Sequence, residues 1–169
     1  DLALIYFRKT LDYSQKLYGE KHQDTATSYF NMGKVYFDKA DFDNSLKYFN
    51  KALTIRLELY GEEHPDTADA YQNIGRMCWN KDDYDQSLKY FNKALAIRRE
   101  LFGEKHSETA DSYDGIGLAY IRKADLDKSL KYYHKALSIR RDLFCDNHLD
   151  MATSYNSIGS VYLHKADYD

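Results

Sequence analysis

Four histidines are the side chains best placed, by type and spacing, to do chemistry. His22, His64, His106 and His148 return at a fixed interval of 42 residues, and a regular set of imidazoles is the raw material of a metal site. The interval argues against one. Units of that length stack about one helix diameter apart, about 10 Å, whereas ligands must come within about 2 Å of one ion. Each histidine precedes the start of a helix, so capping or loop packing accounts for all four, and no metal and no cofactor are expected. The two cysteines, Cys78 and Cys145, fall at different repeat positions and make no disulfide framework. Cys78 takes the phase of Tyr36 and Tyr120, a core phase. No phosphate loop, nucleotide-binding glycine pattern or zinc-hydrolase motif occurs, and the carboxylates gather at turns and helix starts. The chain is not expected to be an enzyme.

The elements that carry these residues repeat with them. Tyr18 to His22 returns as Tyr60 to His64 and Phe102 to His106, and Leu46 to Leu53 recurs intact as Leu88 to Leu95. A fixed period in this range marks an array of supersecondary units, none of which can bury its apolar face alone. Each period reads as two helices. In the first, Tyr29, Met32 and Tyr36 form one helical stripe. Gly33, Gly75, Gly117 and Gly159 lie on that stripe, and because a mid-helix glycine costs about 1 kcal/mol, their return implies close approach of another helix. The second helix buries Leu46, Phe49, Ala52, Leu53 and Tyr60. Pro65 and Asp66 suit a first helical turn. Gly19, Gly61 and Gly103 suit a left-handed C-cap, and Cys145 in that series predicts an irregular last junction.

Tyr29, Gly33 and Tyr36, with Phe49 and Ala52, resemble the tetratricopeptide pattern. The extension through Ile55 to Glu62, best seen in Ala52 to Ala68, is similar to the 42-residue repeats of kinesin light chains. The resemblance covers the whole chain. It implies an all-α fold, a right-handed superhelical solenoid of antiparallel helix pairs. The pairs are expected at about 24–60, 66–102 and 108–144, with a lone second helix at about 3–18 and a lone first helix at about 150–165. Ser45, Ser87 and Ser129 stand where the family has a small alanine. Ala40, Asp82, Ala124 and Ala166 stand at its turn glycine, so those turns must avoid positive φ or tolerate about 1 kcal/mol of strain.

In such a superhelix the first helices line the concave face, and the resemblance implies a groove for an extended peptide or partner segment. Asn31, Gln72 and Asn73 can donate to and accept from a peptide backbone. Lys34, Arg76 and Arg122 can attract acidic side chains, so an acidic ligand is expected. Phe37 and Trp79 sit in an apolar row, and Asn80 and Asn156 share the face. Trp79, the only tryptophan, either anchors a ligand or packs on its neighbouring helix. The family's clamp for C-terminal carboxylates is not reproduced, because Phe30 and Lys34 stand at its lysine and asparagine positions. On the convex side Tyr48, Tyr90, Tyr132 and Tyr133 are either a second face or packed rings.

The composition narrows the partners. With 24 basic and 27 acidic residues the net charge is -3, which argues against nonspecific binding to nucleic acid or anionic membrane. Asp38, Asp69, Asp111 and Asp114 lie among the groove's cations. No apolar run nears the roughly 18 residues of a spanning helix, no signal-peptide pattern opens the chain, and a reducing, cytoplasmic setting is expected. A protein-protein interaction scaffold is the first reading. Both terminal helices show apolar positions, Leu4, Phe7 and Leu11 at one end and Tyr155, Ile158 and Tyr162 at the other. Either the chain is a piece of a longer array, or these faces join head to tail in a self-associating array.

Overall fold

A computed structural model describes residues 2–144 and 149–166. Among them the chain is all α-helix, in the order α1 (Leu2–Tyr18), α2 (Gln23–Asp38), α3 (Phe42–Tyr60), α4 (Pro65–Asn80), α5 (Tyr84–Phe102), α6 (Ser107–Arg122), α7 (Leu126–Leu143) and α8 (Leu149–Ala166). Consecutive helices pack as antiparallel pairs, α2 on α3, α4 on α5 and α6 on α7, and each pair packs on the next. None of these helices is long and apolar enough to cross a membrane.

The close approach predicted at the stripe glycines is, at Gly33, Gly75 and Gly117, a ring lying on backbone, whereas nothing lies within 4 Å of a Cβ built at Gly159. A Cβ added at Gly33 would stand 2.8 Å from the Phe49 ring, and Gly75 meets Phe91 in the same way. Phe49 and Phe91 are fully buried. In the third pair Tyr133 takes the ring's place over Gly117, so it is a core residue and not part of a convex face. Tyr48 stacks between Tyr29 and Tyr36, with centroids 6.0 and 5.3 Å away. Tyr132 repeats this between Tyr113 and Tyr120, and Tyr90 stacks on Tyr71. Tyr48, Tyr90 and Tyr132 are therefore packed rings. At Ser45 and Ser129, where the family has alanine, the hydroxyl donates to the Gly33 and Gly117 carbonyls at 2.8 and 2.9 Å.

The helix ends differ from expectation in an instructive way. Within each pair the turn closes as a Schellman motif: the Ala40 N–H donates to the Phe37 carbonyl and the Asp41 N–H to that of Tyr36. Its left-handed residue is Ala40, Asp82 or Ala124, at φ 56, 62 and 57°. The turns thus tolerate the strain instead of avoiding it. Asp41, Asp83 and Asp125 follow at once as N-caps of α3, α5 and α7, so one short link ends one helix and starts the next. Between pairs, Gly61 and Gly103 cap α3 and α5 with positive φ but ψ of -169 and 178°. That is an extended mirror-image conformation essentially confined to glycine, not the left-handed C-cap expected. The Gly61 carbonyl then accepts from the buried Thr67 hydroxyl at 3.0 Å, and Thr25 and Thr109 do the same at Gly19 and Gly103.

Three of the repeated histidines are caps. His22, His64 and His106 accept through Nδ1 from the backbone N–H two residues on, at 3.2, 3.1 and 3.3 Å. Each ring stacks on Tyr18, Tyr60 or Phe102 at 4.3, 4.1 and 4.5 Å. Among the described residues no cluster suited to a metal ion occurs. Cys145 and His148, where the last junction was expected to be irregular, lie outside the described residues. Cys78 is buried, and burial pushes its thiol up from the ordinary range.

Replacing Ala124 by Gly should relieve the left-handed strain and, after glycine's entropy cost, raise unfolding stability by about 0.5–1 kcal/mol. Gly61→Ala should lower it by about 1–3 kcal/mol. Urea melts of the two variants check both signs.

Candidate functional site

The first helices face a row of arginines reaching up from the second helices. Arg56, Arg98 and Arg140 share one repeat phase on α3, α5 and α7, and only 3–5 % of each is exposed. A guanidinium stays charged at any ordinary pH, so once buried it must bring acceptors with it. Arg98 donates through Nη2 to Asp69 Oδ1 at 2.7 Å, and through Nη1 to the Glu108 carbonyl at 3.0 Å and Ser112 Oγ at 2.9 Å. Its Nε lies 3.3 Å from Glu108 Oε2. Arg140 repeats the pattern with Asp111 Oδ1 at 2.7 Å and Ser154 Oγ at 2.7 Å, and adds Asp114 Oδ2 at 2.6 Å. Each arginine thus ties the first helix of its own pair to the first helix of the next, α4 to α6 and α6 to α8.

The row is uneven. Arg56 donates to the Asp66 carbonyl at 2.7 Å and lies 4.3 Å from the Phe30 ring centroid. The position that holds Asp69 and Asp111 in later repeats holds Thr27 here. Burial pulls the Arg56 guanidinium down from its usual range, against the pull of Asp66 and Asp69. For Arg140 burial acts in the same sense, but Asp114 and Asp111 outweigh it and raise the group. Asp114 shows the opposite balance: burial pushes its carboxyl up to about 6 despite Arg140 beside it, and Asp111 and Asp150 add to the rise.

Above this network a cavity of about 490 Å³ opens between α4, α6 and α8, floored by Phe91 and Tyr133. Gly115 keeps the floor low, since a Cβ there would stand 2.8 Å from the Phe91 ring. Gln72, Asn73 and Arg76, three of the expected groove residues, line it together. Gln72 donates to the Asp111 carbonyl at 3.1 Å, while Asn73 bonds the Asp69 carbonyl of its own helix at 2.8 Å. The Arg76 guanidinium lies over the Phe37 ring, 4.9 Å from its centroid.

The other expected residues fall elsewhere. Asn31 borders a separate cavity of about 270 Å³ between α1 and α2. Phe37 packs on Phe42. Trp79 is half-buried against the core around α6 and donates its indole N–H to the Leu118 carbonyl at 3.3 Å, the packing alternative for this residue. Arg122 is held by Tyr84 Oη at 3.0 Å and Asp82 Oδ1 at 3.2 Å, which raise its pKa and commit its charge within the chain. Asn80 bonds its own helix at the Arg76 carbonyl. Lys34 and Asn156 are exposed. At the two ends, Leu4, Phe7 and Leu11 are half-buried and Ile158 is buried. The outward apolar residues of α1 are Leu2, Ile5, Tyr6, Tyr13, Leu17 and Tyr18, whereas Tyr155 and Tyr162 on α8 do face out. Sequence reasoning missed the arginine row. Its signal was an arginine returning at 42-residue spacing directly after a buried isoleucine.

The tetratricopeptide repeat profile matches residues 1–56, 31–82, 73–142 and 113–169. No curated protein matches the sequence. Among solved structures, BtubC (BKLC) from P. vanneervenii is 22 % identical with a TM-score of 0.86 over 98 % of this chain and 66 % of its own. A putative kinesin light chain from Podospora anserina with nearly identical TPR-like repeats is 12 % identical, with a TM-score of 0.80 over 97 % of this chain and 77 % of its own. The apo form of RapI is 22 % identical, with a TM-score of 0.80 over 98 % and 58 %. The chain therefore spans about two thirds of BtubC and less of RapI, and the likeness establishes the fold.

Supplying the missing carboxylate by Thr27→Asp should give Arg56 the partner its counterparts have and raise stability by about 1 kcal/mol, discounted for the exposure of position 27. A higher thermal midpoint for the variant is the expected result. Because the Asp114 pKa is raised on folding, its contribution is fully present below about 4 and is lost as pH rises towards about 6. Stability of the wild type relative to Asp114→Asn should therefore fall across that window in paired denaturant melts.

Proposed function

We infer the function from the premise that the chain belongs to the tetratricopeptide repeat family: it is a protein-protein interaction scaffold, and it binds an extended partner segment along its first helices, the concave side of such arrays. The observation that supports this reading is the cavity between α4, α6 and α8, which Gln72, Asn73 and Arg76 line above a buried polar network, with the Arg76 guanidinium turned towards Phe37. Amide side chains can match the alternating donors and acceptors of an extended backbone without choosing its sequence. Lys34 and Arg76, on neighbouring first helices, supply positive charge at the α2–α4 end, which favours acidic residues of the partner there. The free, buried Cys78 accords with a reducing, cytoplasmic setting.

A second reading rests on the terminal faces. Tyr155 and Tyr162 are each 55 % exposed, and nothing lies within 4 Å of a Cβ built at Gly159. In the complete pairs these phases receive a second-helix tyrosine and an aromatic ring, and α1 carries Tyr6 and Phe7 at the matching phases. One molecule's α8 would then pack on another's α1 at these phases, a heterologous contact that propagates.

Selection from a random peptide library is expected to enrich a shared motif on the wild type and to lose it on an Asn73→Ala/Arg76→Glu variant of equal stability. Enrichment indifferent to the variant would rule out the groove. Light scattering separates the second reading: mass rising with concentration, and abolished by Tyr162→Glu, supports it, whereas a constant monomer mass rejects it.

A further inference from the structure

The charge count of the arginine network is not balanced. Arg98 and Arg140 are each paired with two carboxylates, Asp69 and Glu108 for the first, Asp111 and Asp114 for the second. Two guanidinium groups against four carboxylates leave the network a formal excess of two negative charges; of the four, Asp111 and Asp114 line the cavity, beside Arg98 and Arg140. Arg76 does little to offset this, because its guanidinium lies over Phe37 on the α2 side of α4.

The unmet hydrogen-bonding capacity points the same way. Asp114 Oδ1 and Gln72 Oε1 are buried without a partner, and both residues line the cavity. The Gln72 amide cannot turn round to answer this, since its N–H is committed to the Asp111 carbonyl. Two buried acceptors with no donor cost free energy until a donor arrives. Arg98 Nε and Arg140 Nε are also without a hydrogen-bond partner, but each belongs to a guanidinium that already holds two carboxylates, so a further anion would be the third on one cation. One arginine is shared between Asp114 and Asp111, and burial raises the Asp114 carboxyl to about 6.

We propose that the α4–α6–α8 cavity is a pocket for one basic side chain of the bound segment, a lysine or arginine whose N–H groups are accepted by Asp114 Oδ1 and Gln72 Oε1. This rests on the peptide-scaffold reading and gives it a polarity. The partner segment is acidic where it passes Lys34 and Arg76, and basic where it reaches α6 and α8. Electrostatic complementarity of this kind selects orientation and register more than it adds affinity.

The test uses the same library and the unmodified chain. Enriched peptides should carry lysine or arginine at one fixed position, and acetylating that lysine should weaken binding about 10- to 100-fold, the worth of a hydrogen-bonded charge. Asp114→Asn should bind the parent and acetylated peptides with nearly equal affinity. Peptides that are acidic or apolar at every shared position overturn the basic pocket and leave the scaffold reading standing, as does indifference to acetylation. An Asp114→Asn protein that still prefers the free lysine also overturns it. Failure to enrich any peptide overturns both. The acetylation arm needs no variant, so it decides the question even if Asp114→Asn is poorly folded.

Discussion

A buried guanidinium must be surrounded by acceptors, and the array is stitched together by meeting that demand. One second-helix arginine cannot be satisfied by its own pair. Arg98 needs Asp69 from α4 and the Glu108 carbonyl and Ser112 from α6, so its burial requires that the next pair already be in place. That makes stacking register a matter of hydrogen-bond geometry as well as apolar contact. Exposed bridges such as Lys81 to Asp43 and Lys123 to Asp85 repeat with the same regularity but contribute little in water. Where the acceptor is lost, at Thr27, the arginine falls back on a backbone carbonyl and the face of Phe30.

The same network borders the cavity between α4, α6 and α8: Asp111 and Asp114, which hold Arg140, also line it, so the cavity's character follows from how the pairs are joined. Asp69 and Asp111 look like ligand-facing charges when read along one helix face, yet both are spent on buried arginines. Arg122 and Trp79 are likewise occupied, one by Tyr84 and Asp82, the other by the Leu118 carbonyl. What remains open is what the network leaves unsatisfied, chiefly at Asp114 and Gln72.

Backbone strain is distributed by role. Glycine stands where the chain passes between pairs in an extended mirror-image conformation that a side chain would not enter, as at Gly61. Inside each pair the turn needs a left-handed residue, and alanine or aspartate bears that smaller strain because the Schellman bonds and an immediate aspartate N-cap hold it. Assigning the left-handed cap to glycine from sequence was reasonable by propensity, and the two junctions exchanged roles because their second dihedral angles differ.

Periodicity alone determined the fold class, because a strict repeat of apolar stripe, small residue and cap leaves little choice but stacked helix pairs. Gly33, the capping histidines and Pro65 were legible for that reason: each does its work within a few residues, or through one neighbour a fixed distance along the chain. The site was legible only in part. Gln72, Asn73 and Arg76 share a helix face by spacing, and they do meet in one cavity. Which charges there are free could not be read from spacing, because pairing joins residues 29 apart on different helices and depends on how far each arginine reaches under its neighbour. Spacing says which side chains share a face, while neutralisation and burial are properties of the space between helices, and that space exists only once the pairs have stacked.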